Sequence, residues 1–342
     1  MRPSPRSVTI DASLGARATI LYYALLRNRT LIWVLDGQNV AFRESPGGIE
    51  LANALSNELG AVAASQRDAS PVLRRLYQAL ISPVSGFLPV GRSVIVVPDG
   101  QLSSIPFAAL QSPDTGRLLV EDRELQVAPS LTLMSRALEH QNARAAPRRI
   151  FAVGSPVASG GLLPLPGARR EAEQISDLYG QPPVQTDRLS VAAFLEGVRR
   201  SDVVHFAGHA VEDRDFPNRS YLAMPGSERL TPAQIRKSDF SRVQLLVLSA
   251  CTTAGGSVER GEGALSLARP FLAAGVRQVL ATVSAVDDDV APLLVAFHSK
   301  MREGATPAAA LRAVQLEAYK SERSVSLRGW AAFELFGVVP SR

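Results

Sequence analysis

The sequence predicts an α/β protein built on a mainly parallel β-sheet with helices packed on both faces. Three observations lead there. Uninterrupted apolar runs such as "SVIVV", "DVVHF" and "QLLVLS" lack the polar alternation of a strand with one wet face, which suits strands buried on both sides. Between the runs lie stretches of about ten to fifteen residues with helical apolar spacing, the alternation of a βαβ chain. Glycine and proline punctuate the joints, as in "PDG" after the first of these runs and "AAG" after a later helical stretch.

Taken in order, residues 18–26 (ATILYYALL) and 30–44 (TLIWVLDGQNVAFRE) read as strands, with "DGQN" as a turn inside the second stretch. Helical patterns follow at 49–64 and 72–81, then a buried strand in 92–100 (RSVIVVPDG), a strand in 123–131 and the start of a helix at 132–140. The polar, small-residue stretch 141–147 (QNARAAP) is the best place for a boundary. A second α/β series opens with strand "RIFAVG" (149–154), a Gly/Pro-rich loop and a helix ending at Gly180. Helix 191–200 leads into strand "DVVHFAG" (202–208), and strand "QLLVLSA" (244–250) leads to Cys251. A helix at 263–275, a strand at 276–283, two helices at 292–304 and 306–320, and the apolar stretch "GWAAFELFG" (329–337) complete the pattern. No short-period repeat is visible.

Composition narrows the function classes. With 46% hydrophobic and 20% charged residues over 342 positions, the chain is of ordinary globular type with enough length for a sizeable core. No run approaches the roughly 18 apolar residues of a membrane helix, and "MRPSPRSVTI" lacks the apolar core of a signal peptide. A single cysteine excludes an internal disulfide framework and fits a reducing cytoplasm. The net charge of +5 is dispersed in small groups such as Arg74-Arg75 and Arg199-Arg200, with no aromatic-interleaved basic stripe, so a solvated Arg-rich surface is expected rather than nucleic-acid binding. His205 and His209 have the spacing of helical zinc ligands, but on a strand they lie roughly 13 Å apart along the chain. The glycine-rich "GGSVERGEG" lacks the Lys-Ser/Thr ending of a phosphate-binding loop. No metal and no cofactor are expected.

Two strand ends could carry chemistry, since ligands of open parallel sheets bind beyond the carboxyl ends of the strands. His209 is expected just past "DVVHFAG" and Cys251 just past "QLLVLSA". Adjacent strands would bring both to one rim, where a histidine can take the thiol proton and leave a nucleophilic thiolate. A lone cysteine after an apolar run is also commonly a small buried hydrophobe, and a lone histidine at a strand end is commonly structural. Residue type and spacing leave both readings open. His205, inside the strand, is expected to pack or to bond a neighbour. A nucleophile elbow of the G-x-C/S-x-G kind is absent from "SACTT", and the histidine precedes the cysteine, which argues against glutaminases and α/β-hydrolases.

These stretches resemble the CHAT family of caspase-like cysteine peptidases, which are often joined to TPR repeats. "VVPDGQLSSIPFAAL" and "VAPSLTLM" are similar to that family's N-terminal half; "LPGARREAEQI", "VVHFAGHA", "LLVLSACTTAGG", "GALSLARPFLAAGVRQVLATV" and "WAAFELFG" are similar to its C-terminal half. The resemblance runs over about residues 18–338 and implies a caspase-like sheet sandwiched by helices (146–342), preceded by a smaller pseudo-peptidase-like α/β part (1–145). It implies a cysteine endopeptidase with Cys251 as nucleophile, His209 as general base and the backbone amides of Cys251 and Ala210 as oxyanion hole. Many members carry Gly at the position of Ala210 and Trp at that of Ser284. Ser249 is expected on the substrate side, neutral in charge. Asp288, within the acidic run 287–289, is expected there as the anion that selects Arg or Lys before the cut, the plainer reading of that run being a helix cap. The expected partners are a protein or peptide substrate and a TPR-containing or other sensor protein, in a regulated bacterial signalling or defence pathway. A catalytically silent scaffold is the alternative.

Overall fold

The computed structural model describes residues 18–37, 39–134, 149–154, 165–184, 189–211, 216–252, 263–284, 290–321 and 326–337, together with residues 162, 213 and 286. Its first unit is a three-stranded antiparallel meander of β1 (Ala18–Leu25), β2 (Arg29–Asp36) and β3 (Asn39–Pro46), with Gly37 at φ 63° turning the chain between the last two. Helices α1 (Gly48–Ala64) and α2 (Ser70–Leu80) follow, then β4 (Ser93–Val97) and the short β5 (Leu125–Val127). The second series is β6 (Ile150–Gly154), α3 (Pro166–Leu178), α4 (Val191–Arg199), β7 (Val203–Val211), β8 (Tyr221–Ala223), β9 (Arg229–Leu230) and β10 (Leu245–Thr252). It continues through α5 (Gly263–Ala273), β11 (Gln278–Thr282), α6 (Ala291–Arg302), α7 (Pro307–Lys320) and β12 (Phe333–Phe336).

All these strands join one twelve-stranded sheet in the order β3-β2-β1-β4-β5-β12-β11-β10-β7-β8-β9, with β6 also paired to β7. The central pairings β1–β4, β4–β5, β5–β12, β11–β10, β10–β7 and β7–β6 are parallel. The mainly parallel sheet expected from the apolar runs is therefore present, and all five residues of β4 (SVIVV) are buried. In the second half, alternate residues of one strand enter two different cores. Val204, Phe206, Leu246 and Leu248 pack with Phe194 and Val198 of α4 and Phe271 of α5. Val203, Leu245 and Val247 pack with Ile175 of α3, Leu294 and Phe297 of α6 and Val314 of α7. Helices therefore cover both faces, and burial on both sides is what selected unbroken apolar strands.

Local signals fix several boundaries. Ser190 Oγ accepts the amide of Ala193 at 3.2 Å to open α4, and Thr306 Oγ1 accepts that of Ala309 at 3.2 Å to open α7. Gly180, at φ 63°, follows α3 as the sequence expects. The expected boundary at 141–147 lies outside the described residues. Across that stretch the sheet itself is continuous, because β5 and β12 lie side by side, Phe336 in register with Val127. The seam carries further bonds. Gly337 N–H donates to Val127 O at 2.9 Å, Gln278 Nε2 donates to Gln126 Oε1 at 3.0 Å, and Arg312 donates to the carbonyls of Val120 and Glu121 at 2.8 and 2.7 Å. Glu334, buried on β12, accepts the amide of Phe107 at 3.1 Å. Burial pushes its carboxyl up to about 8, the Phe107 amide offsetting part of the rise.

Candidate active site

β7 and β10 are parallel neighbours, and their register runs from Val203↔Leu245 through His205↔Val247 and Ala207↔Ser249 to His209↔Cys251 and Ala210↔Thr252. The sequence-distant histidine and cysteine thus occupy directly opposed positions on strands about 4.8 Å apart, on the same face of the sheet. That pairing follows from burial: a one-residue slip would move His205 into the core of Phe194 and Phe271 and expel Phe206 from it.

One expectation is corrected. His209 and Cys251 were placed just past their strands, yet β7 runs on to Val211 and β10 to Thr252, so both lie inside the ladder. The β7–β10 pairing itself continues to Ala210↔Thr252, and a hairpin that the apolar runs did not announce extends β7 further: β8 pairs antiparallel with its end (Ala210↔Leu222, Val211↔Tyr221) and β9 pairs with β8. Its turn holds Pro225 and Gly226, the latter at φ 68°, a signal legible in "MPGSERL". His209 is accordingly only 2% exposed. Ala210 is half-buried between Thr252 and Leu222, and Ser249 is half-buried two positions before Cys251. Asp288 lies outside the described residues. The helix after it, α6, has Val290 rather than an aspartate at its N-cap.

His205 bonds its neighbours, as its place within the strand led one to expect. Its Nε2 is 2.9 Å from Glu171 Oε1 on α3, its Nδ1 is 3.2 Å from His298 Nε2 on α6, and His298 Nδ1 is 3.1 Å from the hydroxyl of Tyr179. Glu171, His205, His298 and Tyr179 are all buried. Burial, with the neighbouring His205 second, holds His298 well below the usual histidine range, and burial pushes the Tyr179 hydroxyl up to about 12. A neutral His298 donates through one ring nitrogen and accepts through the other, so it bonds Tyr179 and His205 at once, its tautomer setting the direction of both bonds. Sequence reasoning named His205 but missed Glu171, Tyr179 and His298. A glutamate and a histidine on otherwise apolar helix faces were the available signal. Because the two histidine rings bond each other, they do not converge on a point where a cation could sit. Among the described residues no group of three or more His, Cys, Asp or Glu is placed to hold a metal.

A family model described as the CHAT domain matches residues 70–338 of the chain. The chain belongs to the CHAT family. Tetratricopeptide repeat protein 28 of Homo sapiens is 26% identical to this CHAT chain, over 79% of the chain and 13% of the human protein. Its namesake in Mus musculus is likewise 26% identical, over 79% and 13%. The CHAT chain thus spans 13% of the length of these curated relatives. Its structure matches a chain of the Saccharomyces cerevisiae separase–securin complex with a TM-score of 0.61, over 96% of the CHAT chain and 30% of that chain, at 11% identity. At that identity the likeness concerns the fold, which is the caspase-like one the motifs imply. Among the described residues, no helix is long and apolar enough to cross a membrane.

Proposed function

We propose that this CHAT chain is a cysteine endopeptidase that cuts a protein or peptide substrate through a Cys251–His209 dyad. The observation that supports it is the in-register opposition of Cys251 and His209 on adjacent parallel strands. In this reading the imidazole of His209 takes the thiol proton, and the thiolate attacks the scissile carbonyl carbon. The tetrahedral oxyanion is held by the backbone N–H groups of Cys251 and Ala210, the donors that the family resemblance implies. The C–N bond then breaks, the imidazolium returns its proton to the leaving amine, and a thioester remains. Water, deprotonated by His209, attacks the thioester to release the acid and restore the thiol.

A silent scaffold is the second reading, and the burial of His209 favours it, since a general base must meet substrate. Labelling of the purified protein by an electrophilic peptide probe separates the two. Wild type is expected to label and the Cys251→Ala variant not; an unlabelled wild type supports the scaffold.

For the residue before the cut we propose Arg or Lys, with Asp288 as the pocket anion and the neutral Ser249 beside it. A carboxylate facing a guanidinium makes charge-assisted bonds and repels an acidic side chain. A positional peptide library is expected to show basic selection that weakens in Asp288→Asn. Selection for Asp in wild type, or an unchanged basic preference in the variant, removes this pocket. The protein is placed in the cytoplasm, with a TPR-containing or other protein as sensor, a partner suggested by the name of the mammalian relatives. The regulated bacterial signalling or defence pathway expected from the family stays part of the proposal, and those relatives do not bear on it.

A further inference from the structure

Below Cys251 and His209 in the sheet, the buried chain Glu171–His205–His298–Tyr179 links three elements. Glu171 lies on α3, His298 on α6, and His205 on β7, four positions before His209 and on the same face of the strand. Each helix enters directly from a segment at the carboxyl end of a sheet strand: α3 after β6 and residues 155–165, α6 after β11 and residues 283–290. The geometry points to a positioning role: we infer that this chain sets the depth and rotation of α3 and α6 against β7, and through them the geometry of the Cys251–His209 pair. The inference rests on the proposed dyad.

Packing alone would hold the helices at lower cost. Taking a carboxylate, two imidazoles and a phenol out of water is unfavourable, and similar apolar side chains would serve stability as well or better. What directional bonds add is a single arrangement, since three successive contacts of 2.9 to 3.2 Å fix the four groups against one another. Apolar contacts between a helix and a sheet tolerate small slides; this chain does not. The close approach of α3 agrees with it. A side chain at Gly154, the last residue of β6, would place its Cβ 2.3 Å from the carbonyl oxygen of Ala168, so helix and strand meet there backbone to backbone. Tyr179 closes the other end, its ring under the guanidinium of Arg302, whose Cζ lies 5.1 Å from the ring centre.

The only cysteine of the chain is Cys251, so its alkylation by iodoacetamide reports one site. The test follows the alkylation rate against pH in folded wild type, His209→Ala, His298→Phe, Tyr179→Phe and Glu171→Gln, with thermal unfolding measured alongside. Wild type is expected to react as a histidine-assisted thiolate well below pH 8.5, and His209→Ala to lose that advantage. His298→Phe keeps a ring but severs both of its bonds, and is expected to move the midpoint upward and slow alkylation at pH 7 by about tenfold or more. Tyr179→Phe removes one bond and is expected to shift the profile in the same direction by less. Glu171→Gln keeps an acceptor oxygen for His205 and is expected to stay near wild type. A purely structural role lowers the melting temperature and leaves the profile in place. Profiles superimposable on wild type in His298→Phe and Tyr179→Phe overturn the inference while the dyad stands, and if His298→Phe does not fold, Tyr179→Phe alone decides. If wild type and His209→Ala alkylate alike, the dyad is refuted and the positioning role falls with it.

Discussion

The Cys251→Ala variant is expected to lose peptide hydrolysis by several orders of magnitude while its circular dichroism and melting temperature stay close to wild type. In the proposed mechanism the covalent step is attack by the thiolate, and no other cysteine in the chain can replace it. His209→Ala is expected to cost about as much, and the double variant little more than either single one, because two groups that act as a unit are not additive. His205→Ala is expected to behave differently. It removes the middle of a buried chain, leaving Glu171 and His298 short of a partner, so it lowers the melting temperature but retains measurable turnover. Initial rates on basic-residue peptides, set beside thermal unfolding of the same samples, check all four. Cleavage by Cys251→Ala comparable to wild type would sink the peptidase reading. A well-folded but dead His205 variant beside an active His209 variant would reassign the base.

The Glu334→Gln variant is expected to be more stable than wild type, by a margin that grows with pH. Burial keeps the Glu334 carboxyl neutral in the folded protein up to about pH 8, against an ordinary value of 4.5 when unfolded. Below pH 4.5 the acid is neutral in both states and costs nothing. Between 4.5 and 8 the unfolded chain sheds the proton and the folded one keeps it, so stability falls with rising pH; above 8 the loss is complete. The total is a few kcal/mol, each pKa unit being worth about 1.4 kcal/mol. Gln does not titrate, and its carbonyl can accept the amide of Phe107 as Glu334 does. Chemical denaturation at pH 5, 6.5 and 8 should show the difference between variant and wild type widening by a few kcal/mol. A constant difference would mean that Glu334 is ionised in the fold.

The strands were legible because burial on both faces demands unbroken apolar runs, and "SVIVV" or "QLLVLS" allows little else. The helices were legible from spacing and from residues such as Gly180 and Thr306 at their ends. The hairpin of β8 and β9 was not. Its strands, Tyr221–Ala223 and Arg229–Leu230, are too short for a period to show, and only the Pro225-Gly226 turn marks them. The end of β7 lies three residues beyond the expected one, and pairing with β7 carries β10 two residues beyond its own, which changes the exposure of His209. The neighbourhood of β12 was hidden for another reason. "FELF" sits in an apolar stretch, but its strand partners Val127 and Ala281 are set by tertiary pairing that no local pattern encodes. Glu334 within it is buried at the seam, which its residue type does not announce. Of the candidate site, the adjacency of His209 and Cys251 was legible from two strand-associated motifs, whereas the helices that bond His205 arrive from distant sequence.

The position of β12 has a consequence for how the protein comes into being. Four residues near the end of the sequence, 333–336, stand in the middle of the twelve-stranded sheet, between β5 and β11. A chain emerging from the ribosome can lay down β1 to β5 early and β7, β10 and β11 later, but the two sets can share no hydrogen-bonded edge until these residues appear. Until then β5 and β11 each present an unpaired edge, the kind of surface that invites association with other chains. The closing step joins segments some two hundred residues apart, Phe336 to Val127, and such non-local pairing is slow. The two sets of strands therefore become one sheet only once residues 333–336 are in place.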